Sequence, residues 1–150
     1  MLLLVNIIEK NMNRSEKYFH KMEFILEKIN ILPSNLDSNP FLIDALFYRF
    51  QVSIDAAMDI VAMLCKDFGI IVNGDYSNID ELVKFKVLSP SLAGHLRKLN
   101  GLRNALVHKY NKIEEDLLIK EKKNVVAYLN NFVDIIKVII DEKLNLNPTD

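Results

Sequence analysis

The sequence predicts an all-α fold, an up-and-down bundle of four main helices with one short additional helix. Half of the 150 residues are hydrophobic, while glycine and proline occur only four times each, so long segments contain no turn residue. Within these segments apolar residues recur every three or four positions, the period of an amphipathic helix. A chain of this length supports one hydrophobic core. We therefore predict a single domain over residues 1–150, with its core at about residues 13–143, an N-terminal extension at 1–12 and a C-terminal tail at 145–150.

The first helix is predicted over residues 3–30, and the more polar residues 11–14 are an alternative point of interruption. Pro33 and the polar residues after it end the apolar pattern. Met12 is an alternative natural start of the chain. The stripe expected to face the core has helical spacing and consists of Leu4, Ile8, Met12, Ser15, Phe19, Met22, Leu26 and Ile29.

The second helix is predicted to open at Asn39 and Pro40, because proline suits the first turn of a helix, and to end near Gly69. Its opposite face carries Asp55 and Asp59 on adjacent turns. Carboxylates at that spacing repel unless a cation lies between them. This face is either solvated or holds a basic partner. The predicted core stripe is Leu42, Leu46, Phe50, Ser53, Ala57, Ile60 and Leu64.

Residues 70–77 are predicted to form a loop, with a short helix over 79–86. The next helix starts at Ser89, a good N-cap, with Pro90 at the first helical position. Its buried stripe is Leu92, Leu96, Leu99 and Leu106. The last helix is predicted over residues 113–144, because three consecutive acids at 114–116 suit the positive end of the helix dipole. The single cysteine, Cys65, is interpreted as inert core filler.

Arg103 and Tyr110 occupy positions at which the stripe of the fourth helix calls for apolar residues. A buried unpaired arginine is costly. We therefore expect Arg103 to meet an acid, Asp55 or Asp59, or to emerge into a cleft or a seam between subunits.

His108 completes a group of reactive side chains at the end of this helix. Arg103 and Tyr110 share a helix face, whereas Arg103 and His108 differ by about 140° in azimuth. Asn104, four residues before His108, is placed to orient the imidazole ring. One helix does not aim these groups at one point, so either the arginine reaches around the helix or two copies of the motif meet across a twofold axis.

The chemistry of these residues fits the cleavage of a phosphodiester. Histidine exchanges a proton near neutral pH, and the planar guanidinium group binds phosphate oxygens. The net charge of −1 excludes a global basic field for nucleic acid, so any RNA contact is local. The three histidines are dispersed and form no ligand cluster, so we expect no metal and no cofactor. The same residues also allow a structural interpretation, in which His108 is an ordinary surface residue and Arg103 only closes a salt bridge.

The run from Gly101 to Tyr110 resembles the R-x4-6-H-x-Y signature of the HEPN superfamily, in its HepT-like toxin branch. The segment from Tyr48 to Lys66, with Asp55 and Asp59, is similar to the second helix of that family, and the resemblance covers about residues 13–143. It implies a helical bundle that dimerises with the two motifs facing each other, and a metal-independent ribonuclease toxin in which Arg103 and His108 are catalytic.

The resemblance also implies a partner, a small nucleotidyltransferase antitoxin of the MNT type. In studied members this antitoxin binds the toxin and transfers AMP to the tyrosine of the motif, which is Tyr110 here. The alternative is a non-catalytic helical subunit that binds such a nucleotidyltransferase. The sequence offers neither about 20 consecutive apolar residues for a membrane helix nor a signal peptide, so we expect a cytoplasmic protein.

Overall fold

A computed structural model describes residues 13–109 and 112–144, and these residues form five α-helices without a β-strand. They are α1 (Arg14–Asn30), α2 (Pro40–Asp67), α3 (Asp75–Lys84), α4 (Pro90–Lys109) and α5 (Lys112–Ile139). A 3-10 turn (Leu36–Ser38) precedes α2, and a π-helical segment (Ile140–Leu144) continues α5. The predicted all-α class, with four long helices and one short one, is confirmed. The predicted extension 1–12 and tail 145–150 lie outside the described residues.

Local capping explains where two of the long helices begin. Asn39 accepts a hydrogen bond from the backbone N–H of Phe41 at 2.8 Å, which caps α2. Ser89 accepts one from the backbone N–H of Leu92 at 3.1 Å, which caps α4. Each cap satisfies a donor that the first helical turn leaves free. Both predicted helix starts are confirmed.

The central helix of the bundle is α2, which packs against each of the other four helices. It runs antiparallel to α1, because Tyr18 bonds to Asp67 near its end, whereas Arg49 near its start contacts the carbonyl oxygens of residues 27 and 28. The core contains all four predicted leucines of α4, and it contains Cys65, whose side chain is fully buried as predicted. A single core therefore fixes the position of α4 relative to α2.

The structure corrects the predicted core face of α1. Phe19 is 41 % exposed and Leu26 is half-buried, whereas Tyr18 and Ile25, one position earlier in the sequence, are fully buried. Tyr18 takes the core position because its hydroxyl group donates a 2.6 Å hydrogen bond to Asp67, which satisfies the one polar atom of a large apolar ring.

The short helix α3 begins four residues earlier than predicted and ends two residues earlier. Asn78 closes the preceding turn: its side chain accepts from the backbone N–H of Asn73 and donates to the carbonyl oxygen of the same residue. Gly74 is therefore the N-cap, and Asp75 and Tyr76 belong to the helix rather than to the predicted loop. The helix ends before Lys86, which has a left-handed backbone with φ 60°.

Candidate functional site

The candidate site is organised by an ion pair between α4 and α2. The Nε–H group of Arg103 donates to Oδ1 of Asp55 at 2.8 Å. The arginine side chain is 28 % exposed and the aspartate side chain 41 %, so the pair lies at the boundary between core and solvent. Among the described residues Asp55 accepts only from Nε, and the two terminal nitrogens of the guanidinium carry four further N–H groups. The predicted acidic partner of Arg103 is therefore Asp55.

The second predicted carboxylate has a different partner. Asp59 pairs with Lys21 of α1, with 3.0 Å between Nζ and Oδ2, and its side chain is 56 % exposed. Of the two acids predicted as possible partners of Arg103, Asp59 thus pairs with Lys21 on the neighbouring helix instead. The two acids are one helical turn apart and differ in both partner and exposure.

The polar residues that follow Arg103 spread around the end of α4. The amide oxygen of Asn104 accepts a 3.2 Å hydrogen bond from Nη1 of Arg103, so this side chain contacts the arginine and not, as predicted, the imidazole. His108 is exposed, and so is Val107, at 39 %. Tyr110, the predicted modification site, lies outside the described residues. The structure thus brings together Arg103, Asn104 and Asp55, and it leaves His108 on a different face of the helix.

A further acidic residue borders this group and was missed from the sequence. Burial raises the pKa of the Asp75 carboxyl group, the nearby Arg103 guanidinium opposes the rise, and the carboxylates of Asp55 and Asp59 add to it. Asp75 therefore lies within electrostatic reach of the ion pair. The signal that could have found it is local: Gly74 followed by an acid reads as a helix start.

A separate open groove of about 390 Å³ lies between α4 and α5. Its walls are mainly apolar, with Leu102, Ala105 and Leu117, and its polar rim includes Lys98 and Glu121. On an ideal helix Leu102 and Ala105 point away from Arg103 by about 100° and 160°. The groove is thus distinct from the group around Arg103.

The part of the chain that the structure describes holds no cluster of three or more histidine, cysteine, aspartate or glutamate residues arranged for a metal ion. Within the same residues, no helix combines the length and the apolar character needed to cross a membrane. The reactive groups available in the described site are therefore the guanidinium, the imidazole, the Asn104 amide and the carboxylates.

Comparison with known sequences shows similarity to one ribonuclease family and to relatives named as ribonucleases. The model of the family described as "Ribonuclease HepT-like" matches residues 8–136. A protein of Archaeoglobus fulgidus named "Putative RNase" is 37 % identical over 129 residues, which cover 86 % of this chain and 97 % of that protein. A relative of the same kind from Methanocaldococcus jannaschii is 50 % identical over 68 residues, covering 45 % of this chain and 78 % of the relative.

Solved structures with a similar fold include components of toxin–antitoxin complexes. The tri-AMPylated HEPN toxin of Shewanella oneidensis, in complex with an MNT antitoxin, superposes with a TM-score of 0.74 at 22 % identity and covers 85 % of this chain and 99 % of its own. A toxin–antitoxin complex with AMP-PNP gives a TM-score of 0.73 at 20 % identity, with coverages of 83 % and 99 %. At these identities the likeness establishes the helical fold.

Proposed function

The chain belongs to the HepT-like ribonuclease family, and we propose that it is a metal-independent endoribonuclease that acts as the toxin of a toxin–antitoxin pair. The observation that carries this proposal is the Arg103–Asp55 pair. It fixes a guanidinium group near the end of α4 through its Nε–H group, five residues before an exposed histidine. A fixed cation and an imidazole group on one helix supply the charge stabilisation and the proton transfer that phosphodiester cleavage needs.

In the proposed reaction, His108 removes the proton from a ribose 2′-hydroxyl group, and the 2′-oxygen attacks the adjacent phosphorus. The bond from phosphorus to the 5′-oxygen breaks, and a protonated imidazole donates the proton that the leaving oxygen needs. Arg103 stabilises the negative charge that develops on the non-bridging oxygens. The products are a 2′,3′-cyclic phosphate and a 5′-hydroxyl group.

A homodimer supplies the convergence that one chain lacks. Arg103 and His108 differ by about 140° around α4, so one phosphate group does not easily contact both within a single copy. Val107, an exposed apolar side chain, lies between them in azimuth. In a twofold interface the same patch contacts itself, so burying Val107 would bring the Arg103 of one copy towards the His108 of the other.

The proposed partner is a nucleotidyltransferase antitoxin of the MNT type. Support comes from the similar solved toxins, one of which is AMPylated and bound to an MNT antitoxin. We propose Tyr110 as the AMP acceptor, because it follows His108 by two residues and is the tyrosine of the motif. A nucleotide attached there would add bulk and negative charge beside the site and so repel RNA.

The decisive experiment is RNA cleavage by the purified chain in the presence of EDTA. His108→Ala should lower the cleavage rate by about 10²- to 10⁴-fold and Arg103→Ala by about 10²- to 10³-fold, the usual losses for an acid–base group and for a charge-stabilising donor. His20→Ala is the matched control, because His20 is an exposed histidine on α1 and should leave cleavage unchanged.

Three outcomes would contradict parts of the proposal. Full cleavage by His108→Ala would remove the catalytic role of the imidazole, and loss of wild-type cleavage in EDTA would remove metal independence. A stable complex with the nucleotidyltransferase, without cleavage by the free chain, would favour the non-catalytic binding subunit. Sedimentation of the wild type tests the dimer, and AMP transfer to Tyr110→Phe tests the acceptor.

A further inference from the structure

Tyr76 places an exposed aromatic ring beside the motif helix. It is the second residue of α3, and it is 43 % exposed. Its hydroxyl oxygen lies 3.5 Å from the position that a Cβ atom on Gly101 would occupy. The phenol therefore reaches from α3 onto the surface of α4, where the missing side chain of Gly101 leaves room for it.

The point that Tyr76 reaches lies on the same face of α4 as His108. Gly101 and His108 are seven residues apart, so they differ by only about 20° in azimuth and by about 10 Å along the helix axis. The preceding residue, Asp75, lies within electrostatic reach of Arg103. Tyr76 thus borders the surface of α4 that carries His108, whereas Arg103 lies about 160° around the helix from Gly101.

A nucleic-acid ligand of this protein needs an attraction other than charge. The chain has a net charge of −1, and Asp55 offsets much of the charge on Arg103. Stacking of a nucleobase on an aromatic side chain contributes about 1–3 kcal/mol per base and needs no net positive charge. An exposed aromatic ring on the same face of α4 as His108 is suited to that contact.

We propose that Tyr76 is a nucleobase-binding residue, on which one base of single-stranded RNA stacks next to the nucleotide that His108 contacts. This inference rests on the ribonuclease function proposed above. Phe85 offers a matched comparison, because it is also aromatic and 58 % exposed but lies nine residues later in the chain, about 13 Å along the direction of α3.

The test measures binding of a short, labelled single-stranded RNA to the His108→Ala protein, in which the RNA should stay intact. Added to this background, Tyr76→Ala and Tyr76→Leu should each raise Kd at least about fivefold, because leucine keeps apolar bulk but lacks a flat ring. Tyr76→Phe and Phe85→Ala should leave Kd within about twofold. Thermal unfolding by circular dichroism identifies any variant that fails to fold.

The same RNA with one base removed at a time locates the contact. At one position of the RNA, removal of the base should abolish the difference in Kd between the His108→Ala protein and the same protein with Tyr76→Leu added. An unchanged Kd for folded Tyr76→Leu, or a difference that persists at every position, would overturn the stacking role. If either of these two results is obtained while the wild type cleaves RNA in EDTA, only the role of Tyr76 is refuted. If the wild type cleaves no RNA in EDTA, the proposed function itself is refuted.

Discussion

Asp55→Asn tests whether the ion pair positions Arg103 for catalysis. The substitution keeps the shape of the side chain and an acceptor oxygen but removes the charge. A hydrogen bond to a charged group contributes about 1.5–3 kcal/mol when shielded, and an exposed ion pair contributes about 0–1 kcal/mol. At 28 % and 41 % exposure the Arg103–Asp55 pair falls between these limits, at about 1 kcal/mol. Because 1.36 kcal/mol corresponds to a factor of ten, we expect kcat for RNA cleavage to fall about fivefold.

RNA binding should respond in the opposite sense, because the removed charge is negative and repels phosphate. The assay is therefore cleavage across a range of RNA concentrations, in which Asp55→Asn should lower kcat without raising KM. Asp59→Asn is the matched control, since Asp59 lies one turn along the same helix and pairs with Lys21 instead. Its kcat should stay within about twofold of the wild type.

The reasoning also predicts an interaction between the two members of the pair. In an Arg103→Ala background, Asp55→Asn should have no further effect on kcat, because contacting residues are not additive. If Asp55→Asn cleaves as fast as the wild type, or if Asp59→Asn loses as much activity, the positioning role of Asp55 is refuted.

Three further predictions concern stability. Tyr18→Phe removes the 2.6 Å hydrogen bond to Asp67 and should lower the free energy of unfolding by about 1–2 kcal/mol in urea denaturation. Gly94→Ala should raise it by about 0.5–1 kcal/mol, because a Cβ atom there meets no atom within 4 Å and glycine is unfavourable inside a helix; a loss of stability would contradict the described packing. The raised pKa of Asp75 means that the folded state binds its proton more tightly than the unfolded chain, so this carboxyl group destabilises the fold increasingly as the pH rises above the ordinary value of about 3.9. Asp75→Asn should therefore stabilise the protein at pH 7, and this gain should shrink as the pH is lowered; denaturation at several pH values measures both.

Local patterns predicted the parts of the fold that short segments determine. Asn39 and Ser89 are followed by proline, and each caps its helix through its own side chain. The polar position Arg103 within an apolar stripe correctly indicated a pairing with an acid of α2, because an unpaired guanidinium is costly at a half-buried position. Both inferences need only the residue and its place in a helical period.

Residues whose position depends on packing between helices were not predictable in the same way. Periodicity alone cannot tell whether Tyr18 or Phe19 faces the core, because the choice depends on Asp67, 49 residues later. Asp75 and Tyr76 were assigned to a loop, since the bonds that close the turn before them come from Asn78. Their relation to α4 follows from how α3 packs, which the local sequence does not encode.

The charges around Arg103 bear on the proposal that the site is completed by a second copy of the chain. The carboxyl groups of Asp55 and Asp75 lie near the guanidinium of Arg103. Asp59, the more exposed of the two aspartates on α2, is paired with Lys21. Such surroundings hold the arginine in place but reduce its attraction for a phosphate group. A second copy would add another guanidinium and another imidazole to the same cleft, and stacking on Tyr76 would add affinity without charge. Asp55 thus holds Arg103 in place, and under the proposed function most of the affinity for RNA comes from the second copy and from Tyr76.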